Sequence, residues 1–179
     1  MNEGKNPLSV SVLIFLFFLI ALPFHCKKSS TAPEVEVPEQ EQTSITIVCS
    51  PSSGGTDTNF SVVISINNSD REIKVFGLEV TFDADKLEFR RIEEGNLTES
   101  WAAVDGNEIS RGTLRVGGFM GSGNPIVQGT TGNIAEVKLK VIGSNFNDGQ
   151  QSQICIENYT DDIANLTPHP SCADFTLKK

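Results

Sequence analysis

Two histidines, four cysteines and a few pairs of neighbouring carboxylates are the residues of this 179-residue chain that could do chemistry. His25 lies at the end of an apolar segment and His169 sits between Pro168 and Pro170. A Ser-His or Cys-His nucleophile would rest on His169 alone, which reads as a loop residue. No G-x-S-x-G elbow accompanies it. The pairs Asp83/Asp85, Glu93/Glu94 and Asp161/Asp162 could in principle supply the acid and base of glycoside hydrolysis. They could also offer oxygens to a structural calcium ion, with Asn165 beside the last pair, although neither Asp-rich stretch has the spacing of an EF-hand loop. All three pairs are expected in turns, where acidic residues serve conformational ends. Trp101, Phe119 and Tyr159 could stack on a sugar ring, but they are isolated, and Trp101 in SWAAV is expected in the core. The glycine-rich GGFMGSG, 117–123, runs into NPIVQ rather than a helix, so it is no phosphate cradle. The expectation is a non-enzymatic protein with no required metal or other cofactor.

The chain around these residues divides into three materials. Residues 8–24, LSVSVLIFLFFLIALPF, are almost wholly apolar and follow Lys5, the pattern of a secretory signal helix or of a retained N-terminal anchor. Cys26 follows in LPFHC, which resembles the lipobox of bacterial lipoproteins, with the bulky Phe24 and His25 where that motif has small residues. The resemblance implies lipidation at Cys26 and a membrane anchor. Residues 27–43, KKSSTAPEVEVPEQEQT, lack the apolar area to offset their ordering entropy and read as a flexible tether. The expected organisation is a signal peptide over 1–25, a linker over 26–43 and a folded domain over 44–179, exported to the cell envelope or cell surface.

The formal net charge is −9, and Lys and Arg gather only as the pairs Lys27-Lys28, Arg90-Arg91 and Lys178-Lys179, which argues against a nucleic-acid partner. Outside the cytoplasm a disulfide persists. Cys155–Cys172 is the favoured pairing, with Cys49 free on a strand, and Cys49–Cys172 is the competitor. No cysteine spacing suggests zinc. Sequons at Asn59, Asn67, Asn96, Asn158 and Asn165 are incidental in a bacterial lipoprotein.

Within 44–177 the pattern is strand after strand. SITIVCS, NFSVVISIN and AEVKLKVIG alternate apolar and polar residues with period two, and QICIEN and ADFTLK are shorter versions. Turn clusters separate them: SPSSGGTDT, NNSDRE, VDGNE, GSGNP, GTTGN and SNFNDGQQ. Such a series predicts an antiparallel two-sheet sandwich. In FGLEVTFDADKLEF, 76–89, Phe76, Leu78, Val80 and Phe82 keep one phase, and Leu87 and Phe89 resume in the other. Asp83-Ala84-Asp85-Lys86 is turn chemistry, so the chain is expected to bend there and to pass to the other sheet.

The stretch TFDADKLEFRRIEEGNL, 81–97, resembles the cohesin domain, in which an alternating strand leads into an aromatic-Asp-x-x-x-Leu-Glu-Phe corner. GTLRVGGFMGSG, 112–123, and GNIAEVKLKVIG, 132–143, resemble the later strands of that family. The resemblance implies an all-β jelly-roll sandwich of about nine strands and a non-catalytic module that binds a dockerin-type protein partner, in polysaccharide degradation or surface assembly. Many dockerin-binding cohesins carry an Asn-x-Asp pair on the strand before the corner, and Val75 and Gly77 stand in those positions here. The partner-binding residues it implies are Glu79, Thr81, Arg115 and Phe119, the last in an exposed glycine-rich loop. A carbohydrate-binding module and a purely structural envelope lipoprotein are the alternative readings.

Overall fold

The computed structural model describes residues 43–166 and 171–179. The apolar N-terminal segment, Cys26, the tether and His169 lie outside the described residues. Ten strands follow in chain order: β1 Ser44–Ser50, β2 Ser53–Gly54, β3 Asn59–Asn67, β4 Val75–Thr81, β5 Leu87–Glu94, β6 Ala103–Ser110, β7 Thr113–Phe119, β8 Gly132–Val141, β9 Gln151–Asp161 and β10 Ser171–Leu177. They form a four-stranded sheet in the order β1-β3-β8-β5 and a six-stranded sheet in the order β2-β10-β9-β4-β7-β6. Neighbours are antiparallel except β2 and β10, which pair in parallel over two residues. The expected nine strands thus become ten through the very short β2 at the sheet edge.

The alternation built these sheets as the sequence predicts. Val62, Ile64 and Ile66 of β3, Leu78 and Val80 of β4, and Val137, Leu139 and Val141 of β8 are all buried between the layers. Each such side chain contributes roughly 1.5–3 kcal/mol through removal of apolar area from water. Phe60 of β3 and Phe175 of β10 stack across the sandwich with ring centroids 3.9 Å apart. Trp101 is buried as expected, tilted against Phe76 at 5.7 Å, and its Nε1 donates to the Asn124 carbonyl at 2.9 Å.

The corner after β4 passes the chain from the six-stranded to the four-stranded sheet. The Lys86 and Leu87 amides both donate to the Asp83 carbonyl, at 3.0 and 2.9 Å, and the Asp85 amide donates to Asp83 Oδ1 at 3.0 Å. The Lys86 ammonium closes on the Asp83 carboxylate. That hydrogen bond, with the Asp85 amide and the nearby Arg111, holds the Asp83 carboxyl below its ordinary range. The break in the alternation therefore has a local cause: the turn consumes the residues that would have kept the phase, and Leu87 enters the core from the opposite sheet.

Two expectations need correction. VDGNE is not a turn cluster but the middle of β6, an edge strand paired with β7. Its residues are mostly exposed, so the alternation that marks a half-buried strand is missing. Gly106 lies where an added Cβ would meet the Arg115 carbonyl oxygen at 2.6 Å and the Ile92 side chain at 3.1 Å, and this close approach accounts for glycine there. Glu93 and Glu94 also end a strand, β5, rather than lying in a turn.

Cys49 is the free cysteine among the described residues, and it is buried on β1. Burial first, and then the charge of Asp174, push its thiol up to about 11. The thiolate is the reactive form, so in a Cys26→Ser variant at pH 8 iodoacetamide is expected to label Cys49 slowly in the folded protein and quickly in denaturant. Equal rates in the two states would show that the thiol is not enclosed.

Candidate functional site

The outer face of the six-stranded sheet gathers the predicted partner-binding residues, and strand register sets their order. Val75 of β4 is opposite Phe119 of β7, and Phe119 is opposite Ala103 of β6. Gly77, Gly117 and Asp105 form the next rung, then Glu79, Arg115 and Asn107, then Thr81, Thr113 and Ser110. On the other side of β4, β9 places Thr160 beside Gly77, Glu157 beside Glu79 and Cys155 beside Thr81. The face thus grades from an apolar end, across a rung without side chains on β4 and β7, to a charged rung and a hydroxyl rung.

Glu79, Thr81, Arg115 and Phe119 therefore share one surface. Arg115 Nη2 donates to Glu79 Oε1 at 3.0 Å, and Asn158 Nδ2 donates to Glu79 Oε2 at 2.5 Å. The Asn158 hydrogen bond, with that of Arg115, lowers the Glu79 carboxyl from its ordinary value. Phe119 is 52% exposed and Val75 36%. Phe119 is not in a loop, as the glycine content suggested. It is the last residue of β7, and the Met120 that follows packs on the core while its amide donates to the Lys74 carbonyl at 2.9 Å. Val75, which the sequence marks only as a departure from a polar motif, is half of the apolar rung. Gly77 is constrained in turn, because a Cβ there would lie 2.3 Å from Thr160 Oγ1.

Cys155 and Cys172 form a disulfide that links β9 to β10 at directly opposed positions of the same sheet. The pairing favoured from the sequence is the one formed, and Cys49–Cys172 is not.

The other candidate residues are occupied differently. Asp162 Oδ2 accepts from the Lys74 and Val75 amides at 2.8 and 3.0 Å, and so fixes the start of β4. Asp85 pairs with Arg111, and Glu93 pairs with Arg91 and Lys138. Among the described residues no three or more His, Cys, Asp or Glu side chains gather as a metal site. Tyr159 is buried, and among the exposed large apolar residues, Val48, Val75, Ile109, Phe119 and Val127, only Phe119 is aromatic.

Comparisons with known proteins agree with this geometry. The family model described as the cohesin domain matches residues 45–167. A cohesin module from a family 33 glycoside hydrolase of Clostridium perfringens shares the fold at 15% identity and a TM-score of 0.60, over 76% of this chain and 97% of that one. The third cohesin ScaC of Acetivibrio cellulolyticus, solved in complex with the ScaB dockerin, aligns at 18% identity and 0.60, over 77% of this chain and 100% of that one. A non-cellulosomal cohesin from the archaeon Archaeoglobus fulgidus aligns at 19% identity and 0.54, over 77% and 92%. No curated protein matches the chain at a significant level. The family model spans well over half of the residues and the described strands build the same sandwich, so the chain belongs to the cohesin domain family.

Proposed function

We propose that this domain is a non-catalytic docking module that binds a dockerin-bearing protein through the outer face of its six-stranded sheet. The observation that carries the reading is the exposed Val75–Phe119 rung, set on a rigid sheet two rungs from the Glu79–Arg115 ion pair. An apolar anchor with polar groups around it is the usual anatomy of a protein interface. The dockerin complex formed by one of the similar structures supports the choice of partner class. The N-terminal 43 residues complete the proposal: they export the domain, and lipid on Cys26 holds it at the cell envelope, where it would recruit a secreted partner for polysaccharide degradation or surface assembly. The carbohydrate-binding alternative is disfavoured by the lack of an exposed aromatic row among the described residues.

Titration calorimetry of the protein with the dockerin modules encoded in its source genome, and pull-down on insoluble polysaccharides, test the reading. Binding to a dockerin is expected, and Phe119→Ala is expected to weaken it about 30-fold, the effect of losing roughly 2 kcal/mol at an interface anchor. Retention by polysaccharide alone, or dockerin binding that Phe119→Ala leaves unchanged, overturns it.

A further inference from the structure

The acidity of the domain is distributed unevenly between its two outer faces. On the four-stranded sheet every base has an acid partner, Arg90 with Glu88, Arg91 with Glu93, Lys138 with Glu93 and Glu136, and Lys140 with Asp57, and of the sheet's acids only Glu94 at the end of β5 is in no ion pair among the described residues. On the six-stranded sheet, Glu79, Asp105, Glu157 and Asp174 project on the side of Arg115 alone. Within that set Glu79 and Glu157 are direct cross-strand partners on β4 and β9. Opposed side chains of this kind have Cβ atoms about 5 Å apart, and like charges there repel. Glu79 is already served by Arg115 and Asn158. Glu157 is exposed and has no ion pair among the described residues.

We infer that the partner presents a lysine or arginine side chain to Glu157, so that this residue selects for a basic partner surface. The inference rests on the docking reading of the same face and adds the chemistry of the occupant. An incoming cation relieves the repulsion between Glu157 and Glu79 and balances the excess acid of the face, whereas an acidic surface would add to it. The geometry adds a spacing. Val75 lies four residues from Glu79 along β4, about 13 Å at the rise of a strand, and Glu157 stands one strand to the side, so it is about 14 Å from Val75 and about 16 Å from Phe119. The partner must therefore carry an apolar side chain and a cationic one at about those separations. Between them its backbone can come close to the sheet over Gly117, whereas the Thr160 hydroxyl covers Gly77.

The test uses the dockerin that binds the wild-type protein, with Glu157→Gln, Glu157→Lys and Phe119→Ala compared at low and high salt. Glu157→Gln is expected to weaken binding about tenfold and to flatten its salt dependence, since a screened charge pair is lost. Glu157→Lys is expected to weaken it further, with a slower association rate, and exchange of the partner's basic residue for glutamate is expected to restore it. Unchanged melting temperatures of the variants would separate recognition from folding. If both Glu157 variants bind as the wild type does while Phe119→Ala fails, the cationic contact is wrong and the docking face stands. If all three bind as the wild type does, or no dockerin binds at all, the docking reading falls and this inference with it.

Discussion

Phe175→Ala is expected to destabilise the domain by about 3–5 kcal/mol, the range for truncating a buried aromatic to alanine. Phe175 is fully buried on β10, and its ring stacks on Phe60 of β3. The contact therefore joins the two layers rather than two residues of one sheet. β10 has seven residues, and its inward positions are few, so no neighbour can readily fill the space. The lost transfer energy and the cavity act together. Guanidinium denaturation of wild type and variant, with a lower midpoint and a similar slope, is the measurement. A change below about 1 kcal/mol would mean that the layers close over the site and that the stack is not central. Phe119→Ala is the informative contrast, because its half-exposed ring on the outer face leaves stability within about 0.5 kcal/mol. The two phenylalanines thus separate the parts of the chain that hold the sandwich from the parts offered to a partner.

How much of this was legible from the residues differs from strand to strand. In β3, in β4 and in β8 from Ala135 onward every second residue is apolar and buried, and period two alone identifies them. The corner at Asp83–Lys86 was legible too, because its turn chemistry is local. β6 was not, since an edge strand with mostly wet residues carries no alternation to read. The two-residue β2 has too few positions for any pattern. Glu79, Thr81, Arg115 and Phe119 were grouped through a family resemblance, and they do share a face. The resemblance marked Val75 only as a departure from a polar motif, not as half of an apolar rung, and did not mark Glu157. Both depend on which residues of distant strands stand opposite one another, and a local pattern does not encode register. The ladder of β9 against β4 also shifts between Gly77 and Glu79, where Asn158 takes a positive φ of 51°. That irregularity brings Thr160 rather than Tyr159 opposite Gly77, whereas Glu157 keeps the regular phase of Gln153 and Cys155, and only the pairing of β9 with β4 sets it opposite Glu79.

Replacing both cysteines of the disulfide, as Cys155→Ala with Cys172→Ala, is expected to cost about 3 kcal/mol. The bridge spans 17 residues, and closing a loop of that length restricts the unfolded chain by roughly that amount in the chain-entropy model. The folded state loses little. The two residues face each other on antiparallel strands, and the backbone ladder between β9 and β10 extends on both sides of them. The effect therefore belongs to the denatured ensemble, which makes it distinguishable from that of Phe175→Ala. Freed of its loop, the unfolded chain exposes more surface, so the denaturant slope should rise while the midpoint falls. A reductant acting on the wild-type protein should reproduce both changes. Dockerin binding gives a third readout. Cys155 adjoins Thr81, at the far end of the face from Val75 and Phe119, so the affinity of the folded double variant is expected to stay within about threefold of wild type. An unchanged midpoint would show that the bridge adds nothing beyond the ladder. A large loss of affinity with the fold intact would move the centre of the docking face toward the β9–β10 edge.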